Sequence, residues 1–202
     1  MQPTKEGKIS VSVMCSDLMN LERDIKQLER NGVDYLHVDV MDAHFVPNLT
    51  FGVDFIAAMH RVTKLPLDIH LMVEHPLPIM EAMDIRPGDR ISLHVELGEQ
   101  LHELAKAVRA RGAHFGLVVN PSTPVEALTP YLDEIEWVIL MLVQPGFAGA
   151  KLIDGILDKV AAARRFLDEH GHPETEISVD GSVSCERARL MRDMGASIFV
   201  GG

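Results

Sequence analysis

The chain has 202 residues, 47% of them hydrophobic, and carries 19 Lys and Arg against 30 Asp and Glu for a formal net charge of -11. Length and composition suit one globular domain with a sizeable core and exclude a disordered chain, and no apolar run is long enough to cross a bilayer. The negative charge argues against nucleic acid or an anionic membrane as partner, while a small anion stays compatible because backbone N–H groups at helix starts hold phosphate locally. Residues 1–7 are polar and lack the apolar core of a signal peptide, so a cytoplasmic location is expected. Cys15 and Cys185 are not spaced as zinc ligands and read as free thiols in a reducing compartment.

Residues 8–14 alternate as a strand, with Ser10, Ser12 and Met14 on one face. Ser16-Asp17 offers an N-cap, and Leu18, Leu21, Ile25 and Leu28 follow at helical spacing up to Asn31-Gly32. The second strand, over 34–40, places His37, Asp39 and Met41 on one face and Leu36, Val38 and Val40 on the other. A helix over 53–62 leads to a third strand over 65–72, where Asp68, His70 and Met72 share a face. His75-Pro76 opens a helix to about 83, followed by a strand over 90–95 and a helix over 100–111. A strand over 114–119 and a short helix to about 132 come next, then a strand over 137–143 and the loop Gln144-Pro145-Gly146-Phe147-Ala148-Gly149. A long helix over 153–170, a strand over 176–179 ending in Asp180-Gly181-Ser182, a helix over 185–194 and a strand over 197–200 complete the pattern.

Eight strands thus alternate with seven helices, with no composition break for a linker. Such alternation implies parallel strands and right-handed crossovers. The pattern predicts an α/β fold, a (β/α)8 barrel forming one domain over 1–202, with the eighth helix absent from this chain and the barrel truncated after strand 8. An open doubly wound sheet is the competing architecture. It is disfavoured because polar residues gather near the C-terminal ends of strands spread along the whole chain. A missing eighth helix would uncover the flanks of the first and last helices, which leaves two expectations open: a longer chain, or a domain that leans on a partner such as a second copy in a homo-oligomer.

Ser12, His37, Asp39, His70 and Asp180 stand near those strand ends, and in a barrel they face one mouth. Two His and two Asp from three strands make a nitrogen and oxygen ligand set for one divalent metal ion. It suits zinc, the first choice, or iron(II), manganese or cobalt better than magnesium. Each residue has a plainer reading: a strand His is more often a hydrogen-bonded core residue, Asp180-Gly181 fits turn chemistry, and Asp42 could brace a loop. Their convergence favours a site. Met41 and Met72 read equally as core filler or as a dry wall beside a reacting carbon, and Met141 reads as filler. The glycines of 146–149, Gly181-Ser182 and Gly201-Gly202 follow strands six, seven and eight, where barrels hold phosphate, although each group alone fits turn geometry.

The stretch 36–48 (LHVDVMDAHFVPN), the block 67–73 (LDIHLMV), Leu140-Met141 with Pro145-Gly146-Phe147, and Val179-Asp180-Gly181 together resemble the ribulose-phosphate 3-epimerase family, over essentially 12–201. The resemblance implies a metal held by His37, Asp39, His70 and Asp180, with Asp39 and Asp180 also the acid/base pair. It implies that Ser12 and His70 touch substrate, that Met41, Met72 and Met141 line the site, and that phosphate lies against Gly146, Gly149, Gly181, Ser182, Gly201 and Gly202. The expected activity is interconversion of D-ribulose 5-phosphate and D-xylulose 5-phosphate, in the pentose phosphate pathway, through a C3 enediolate. Ala43, Ala148 and Ser182 depart from the family's usual Gly. Ser182, Ala148 and Met14-Cys15 are similar to the allulose-6-phosphate 3-epimerase branch, which gives a six-carbon ketose phosphate as the alternative substrate. Two further alternatives are an inactive sugar-phosphate-binding barrel and a Lys-dependent barrel aldolase or decarboxylase. For the last, Lys8 and Lys151 are the lysines nearest strand ends.

Overall fold

The computed structural model describes residues 7–202. Eight parallel strands close into a barrel in sequence order: β1 (Lys8–Ser12), β2 (Tyr35–Met41), β3 (Leu67–Met72), β4 (Arg90–His94), β5 (His114–Val119), β6 (Trp137–Met141), β7 (Glu176–Asp180) and β8 (Ile198–Gly201). Closure runs through β1 and β8, where Lys8 pairs with Ile198 and Val11 with Gly201. That pairing rules out the open doubly wound sheet. Around the barrel lie α1 (Leu21–Asn31), α2 (Val53–Val62), α3 (Pro76–Ala82), α4 (Leu101–Arg109), α5 (Asp158–Glu169) and α6 (Cys185–Asp193).

Several expected boundaries move. β1 stops at Ser12 because Val13–Cys15 turns into a 3-10 helix. α1 begins at Leu21 behind Asn20, not at Leu18 behind Ser16-Asp17. The Asp17 carboxylate instead accepts from the Met19 N–H at 3.1 Å and Asn20 Nδ2 at 2.8 Å, a local turn that competes with helix. The helix expected over 153–170 begins only at Asp158, after a turn containing Gly155 at φ 76°. The segment after β5 is a 3-10 helix, Val125–Glu134, with Pro130 inside it, so the described α-helices number six rather than seven. Cys15 and Cys185 are free and exposed, as their spacing implied.

The strand alternation sorts side chains into two environments. Leu36, Val38 and Val40 of β2, with Leu67, Ile69 and Leu71 of β3, join the large core between barrel and helices. The inward faces are much more polar. At the N-terminal end, Arg90 lies over the rings of Trp137 at 4.0 Å and Tyr35 at 4.5 Å, with Glu176 at 3.7 Å. Lys8 closes this plug with a 2.8 Å bond to Glu176, far from the mouth. Trp137 can cross the lumen only because its register partner on β5 is Gly116. A Cβ there would stand 2.3 Å from the indole.

Gly116→Ala is therefore expected to destabilise the fold by about 1–3 kcal/mol through overpacking. Urea denaturation followed by the emission of Trp137, the single Trp of the chain, would show it. An unchanged midpoint would contradict this packing.

Candidate active site

Register brings the sequence-selected residues to one end of the lumen. Across β2 and β3, His37 pairs with Asp68, Asp39 with His70 and Met41 with Met72. Across β6 and β7, Met141 pairs with Asp180. One ligand atom from each of His37, Asp39, His70 and Asp180 lies within 4.8 Å of the others. Asp39 Oδ1 is 3.2 Å from His37 Nε2 and 3.3 Å from His70 Nδ1. Asp180 Oδ2 stands at 3.8 and 4.0 Å from the same two nitrogens. Both nitrogens are buried and have no hydrogen-bond partner, an arrangement that is costly unless something fills the space between them.

Each imidazole is held from behind. His37 Nδ1 lies 2.9 Å from Asp68 Oδ2, which also accepts from Ser10 Oγ at 2.8 Å. An ionised Asp68 can only accept, so His37 carries a proton on Nδ1 and Nε2 is the atom it turns toward the cluster. His70 Nε2 meets His94 Nε2 at 2.9 Å, and His94 Nδ1 lies 3.3 Å from Glu96. With Glu96 taking the Nδ1 proton, His94 accepts from His70 and leaves the His70 Nδ1 lone pair facing the cluster.

Burial disfavours an imidazolium at His37, but the Asp39 and Asp68 carboxylates outweigh it and raise its pKa well above the usual His value. Asp39 is opposed by burial yet held below the usual carboxylate range by His37 and His70. Burial raises Asp180, and its neighbour Asp39 adds to that against the pull of His37. His94 is pushed down to about 4 by burial, which outweighs Glu96. The cluster thus draws positive charge to the point where the orphaned nitrogens converge. A divalent cation bound by two imidazoles and two carboxylates fits that demand and that donor set.

The cavity above the cluster is lined by Ser12, Asp39, Met41, Met72, Met141, Gly146, Gly149, Asp180, Gly181, Ser182, Gly201 and Gly202, among others. The serines, methionines and glycines singled out in the sequence line this one mouth with Asp39 and Asp180, and His37 and His70 lie beside those two aspartates. Ser12 Oγ donates to Asp39 Oδ2 at 3.0 Å. Met41 and Met72 pack with Val46, Phe45 and Met14 as a patch apart from the main core, while Met141 sits with Val118, Trp137, Ile139 and Val143 inside the barrel. Asp42 braces the neighbouring loop: its carboxylate accepts from the N–H groups of His44, Phe45 and Glu74, each at 2.8 Å. Asn48 Nδ2 ties that loop to the Gly146 carbonyl at 2.6 Å. None of the described lysines lines the cavity, and Lys5 lies outside the described residues. Lys159 gives its ammonium to the carbonyls of Asn120, Pro121 and Thr123. That removes the support for a Lys-dependent aldolase.

His94, Glu96 and Arg90 were not singled out in the sequence. Arg90, Ser92 and His94 alternate along β4 in the same period that marked His37 and Asp39, and that was the available signal.

Fold and cluster together define a (β/α)8-barrel enzyme with an acidic and histidine-rich pocket at the C-terminal ends of its strands. The model of the ribulose-phosphate 3 epimerase family matches residues 8–202. A ribulose-phosphate 3-epimerase of Bacillus subtilis is 40% identical over 195 residues, covering 96% of this chain and 90% of the relative. One from Treponema pallidum is 38% identical, covering 96% and 88%. A cytoplasmic isoform from Oryza sativa is 34% identical, covering 97% and 86%. A tryptophan synthase alpha-subunit from Pyrococcus furiosus superposes with a TM-score of 0.69 at 15% identity, covering 98% of this chain and 88% of its own, a likeness of fold alone. The chain belongs to the ribulose-phosphate 3-epimerase family and is an isomerase, an epimerase acting on carbohydrates. None of its described helices is long and apolar enough to cross a membrane.

Because Asp68 orients His37, Asp68→Asn is expected to weaken affinity for a divalent cation by about 10–100-fold. Competition with a chromophoric chelator would measure it, and unchanged affinity would remove Asp68 from this role.

Proposed function

We propose that the chain inverts C3 of a ketose phosphate, interconverting D-ribulose 5-phosphate and D-xylulose 5-phosphate with one bound divalent cation. The observation that carries this reading is the convergence of two carboxylates and two imidazoles with orphaned nitrogens beneath a glycine-lined cavity. His37, Asp39, His70 and Asp180 would hold the cation. When bound, the cation supplies Lewis-acid stabilisation of the negative charge that develops on the substrate's C2 and C3 oxygens.

The chain's own residues do the proton work. Inversion requires removal of the C3 proton on one face and its return on the other. Asp39 comes from β2 and Asp180 from β7, with β1 and β8 between them on the short way round the barrel. Standing on well-separated strands, one of the two carboxyl groups takes the proton while the other, in its acid form, supplies one, and the reverse reaction exchanges the two roles. Ser12 holds the far oxygen of Asp39. Met41, Met72 and Met141 form an apolar wall that excludes water and strengthens every charge interaction beside C3. The backbone around Gly146, Gly149, Gly181, Ser182, Gly201 and Gly202 would receive the phosphate, as in many barrels at strands seven and eight.

A six-carbon substrate, D-allulose 6-phosphate converted to fructose 6-phosphate, is the second reading. Ser182, Ala148, Met14 and Cys15, the residues similar to that branch, all line the same cavity.

Exchange of the C3 proton in deuterated water, run with both ketose phosphates, tests the proposal. Faster exchange with the five-carbon sugar is expected, faster exchange with the six-carbon sugar would shift the substrate, and exchange with neither would overturn the epimerase mechanism. Asp39→Asn and Asp180→Asn are each expected to lower turnover at least about 100-fold, with the folded state retained by circular dichroism. A variant of either Asp with near-parent turnover would remove that residue from the acid/base pair.

A further inference from the structure

The charged side chains lining the mouth are Asp39 and Asp180, and no Lys or Arg is among the lining residues. A phosphorylated substrate would bring about two negative charges into that cavity, in a chain whose net charge is -11. The cation beneath the cavity is spent on the two carboxylates and the sugar oxygens. Something must compensate the phosphate at the other end, and backbone N–H groups supply only partial charges.

Ser182 is where a full charge reaches the wall. It lines the cavity between Gly181 and Val183 and holds a left-handed φ of 54° that few non-glycine residues adopt. Arg187, half-buried on the first turns of α6, folds back over it. Its Nη1 donates to Ser182 Oγ at 2.9 Å and to the Ser182 carbonyl at 2.7 Å. A serine hydroxyl has one proton to give and two lone pairs to receive. With a lone pair taken by the guanidinium, the proton of Ser182 is left free for an anion in the cavity. A hydroxyl that accepts from a neighbouring donor is polarised, and the bond it gives in turn is strengthened by roughly 10–30%.

The geometry points to Ser182 and Arg187 as a specificity-determining pair that receives the phosphoryl group of the substrate: Ser182 by its hydroxyl, Arg187 by charge delivered through that hydroxyl. The inference rests on the phosphate placement proposed above and adds a cation to it. Its consequence is selectivity for phosphorylated over unphosphorylated ketoses. The competing account makes Arg187 only a latch on its own turn, through the bond to the Ser182 carbonyl.

The experiment uses the metal-loaded full chain and inorganic phosphate as probe, in a calorimetric titration and as an inhibitor of ketose-phosphate turnover. Arg187→Met is expected to weaken phosphate binding about tenfold and to lower the ratio of kcat/KM for phosphorylated over unphosphorylated ketose by a similar factor. Arg187→Lys keeps the charge and is expected to recover most of both. The gap between parent and Arg187→Met should narrow at high salt, since the interaction lies near the surface. Ser182→Ala should show a similar loss, with little further loss when Arg187→Met is added, because the charge acts through the hydroxyl. Phosphate affinity unchanged in both single variants, even with a lowered Tm, would make Arg187 a latch and overturn the inference. So would a parent that binds no phosphate. A parent that binds phosphate but exchanges no C3 proton would strike the epimerase mechanism and leave the titration to decide on Arg187.

Discussion

The site is built on a buried carboxylate that is not itself among the four converging side chains of His37, Asp39, His70 and Asp180. Asp68 is 1% exposed, on β3, and reaches His37 Nδ1 on β2 and Ser10 Oγ on β1. Its other oxygen faces Arg90 Nε on β4 at 4.0 Å. Burial alone would protonate Asp68, but His37, then Arg90 and Ser10, hold its pKa below the usual carboxylate range. Removing one partner from a buried pair strands the other charge, at a cost of about 3–5 kcal/mol. Four consecutive strands are therefore tied to one side chain, and the orientation of His37 follows from that tie. Below Asp68 the signs alternate: Arg90, then Glu176, then Lys8 at the N-terminal rim. The lumen thus carries a charge column beside an apolar cluster of Val118, Trp137, Ile139, Met141 and Val143, where many barrels carry layers of branched apolar residues throughout.

The two sides of the mouth differ in burial. On the β2 to β4 side, His37, His70 and His94 are fully buried and every imidazole has a partner behind it. On the β6 to β8 side, Asp180 keeps partial exposure, and Phe147, Ala148, Gly149 and Ser182 are exposed. A fixed half beside a more open half suits a reaction that positions a carbon within a few tenths of an ångström while admitting a flexible phosphorylated chain. Asn48, bonded to Gly146, couples the two halves.

Much of this was legible in the sequence because a strand's period of two writes lumen and core in alternate letters. His37 and Asp39 against Leu36, Val38 and Val40 is a pattern that only a two-sided strand explains. What was not legible depends on which strands lie side by side and in what register. His94 reads as one polar residue of a strand until the pairing of β3 with β4 sets it 2.9 Å from His70. Arg90 reads as a polar strand start until Tyr35 and Trp137, 55 and 47 residues away by their numbers, enclose it. The misplaced helix starts have a local cause instead. Asp17 and Gly155 favour turns that periodicity alone does not register.

Among the described residues, Ala43 and Ser182 are the two non-glycine residues with positive φ, 60° and 54°. Ser182 lines the cavity, and Ala43 stands in the loop that follows β2. A left-handed backbone costs a residue with a Cβ roughly 1–2 kcal/mol, so the conformation survives only where surrounding bonds over-determine it. That is what surrounds each of them. Ala43 follows Asp42, whose carboxylate is fixed by three N–H groups, and its own N–H donates to the Asn48 carbonyl at 2.9 Å. Ser182 is gripped at its carbonyl and its hydroxyl by Arg187. At both points a glycine-like backbone path is held by neighbouring hydrogen bonds, from a carboxylate-braced loop at Ala43 and from a guanidinium at Ser182, so the loop geometry at the mouth is kept against its own local cost.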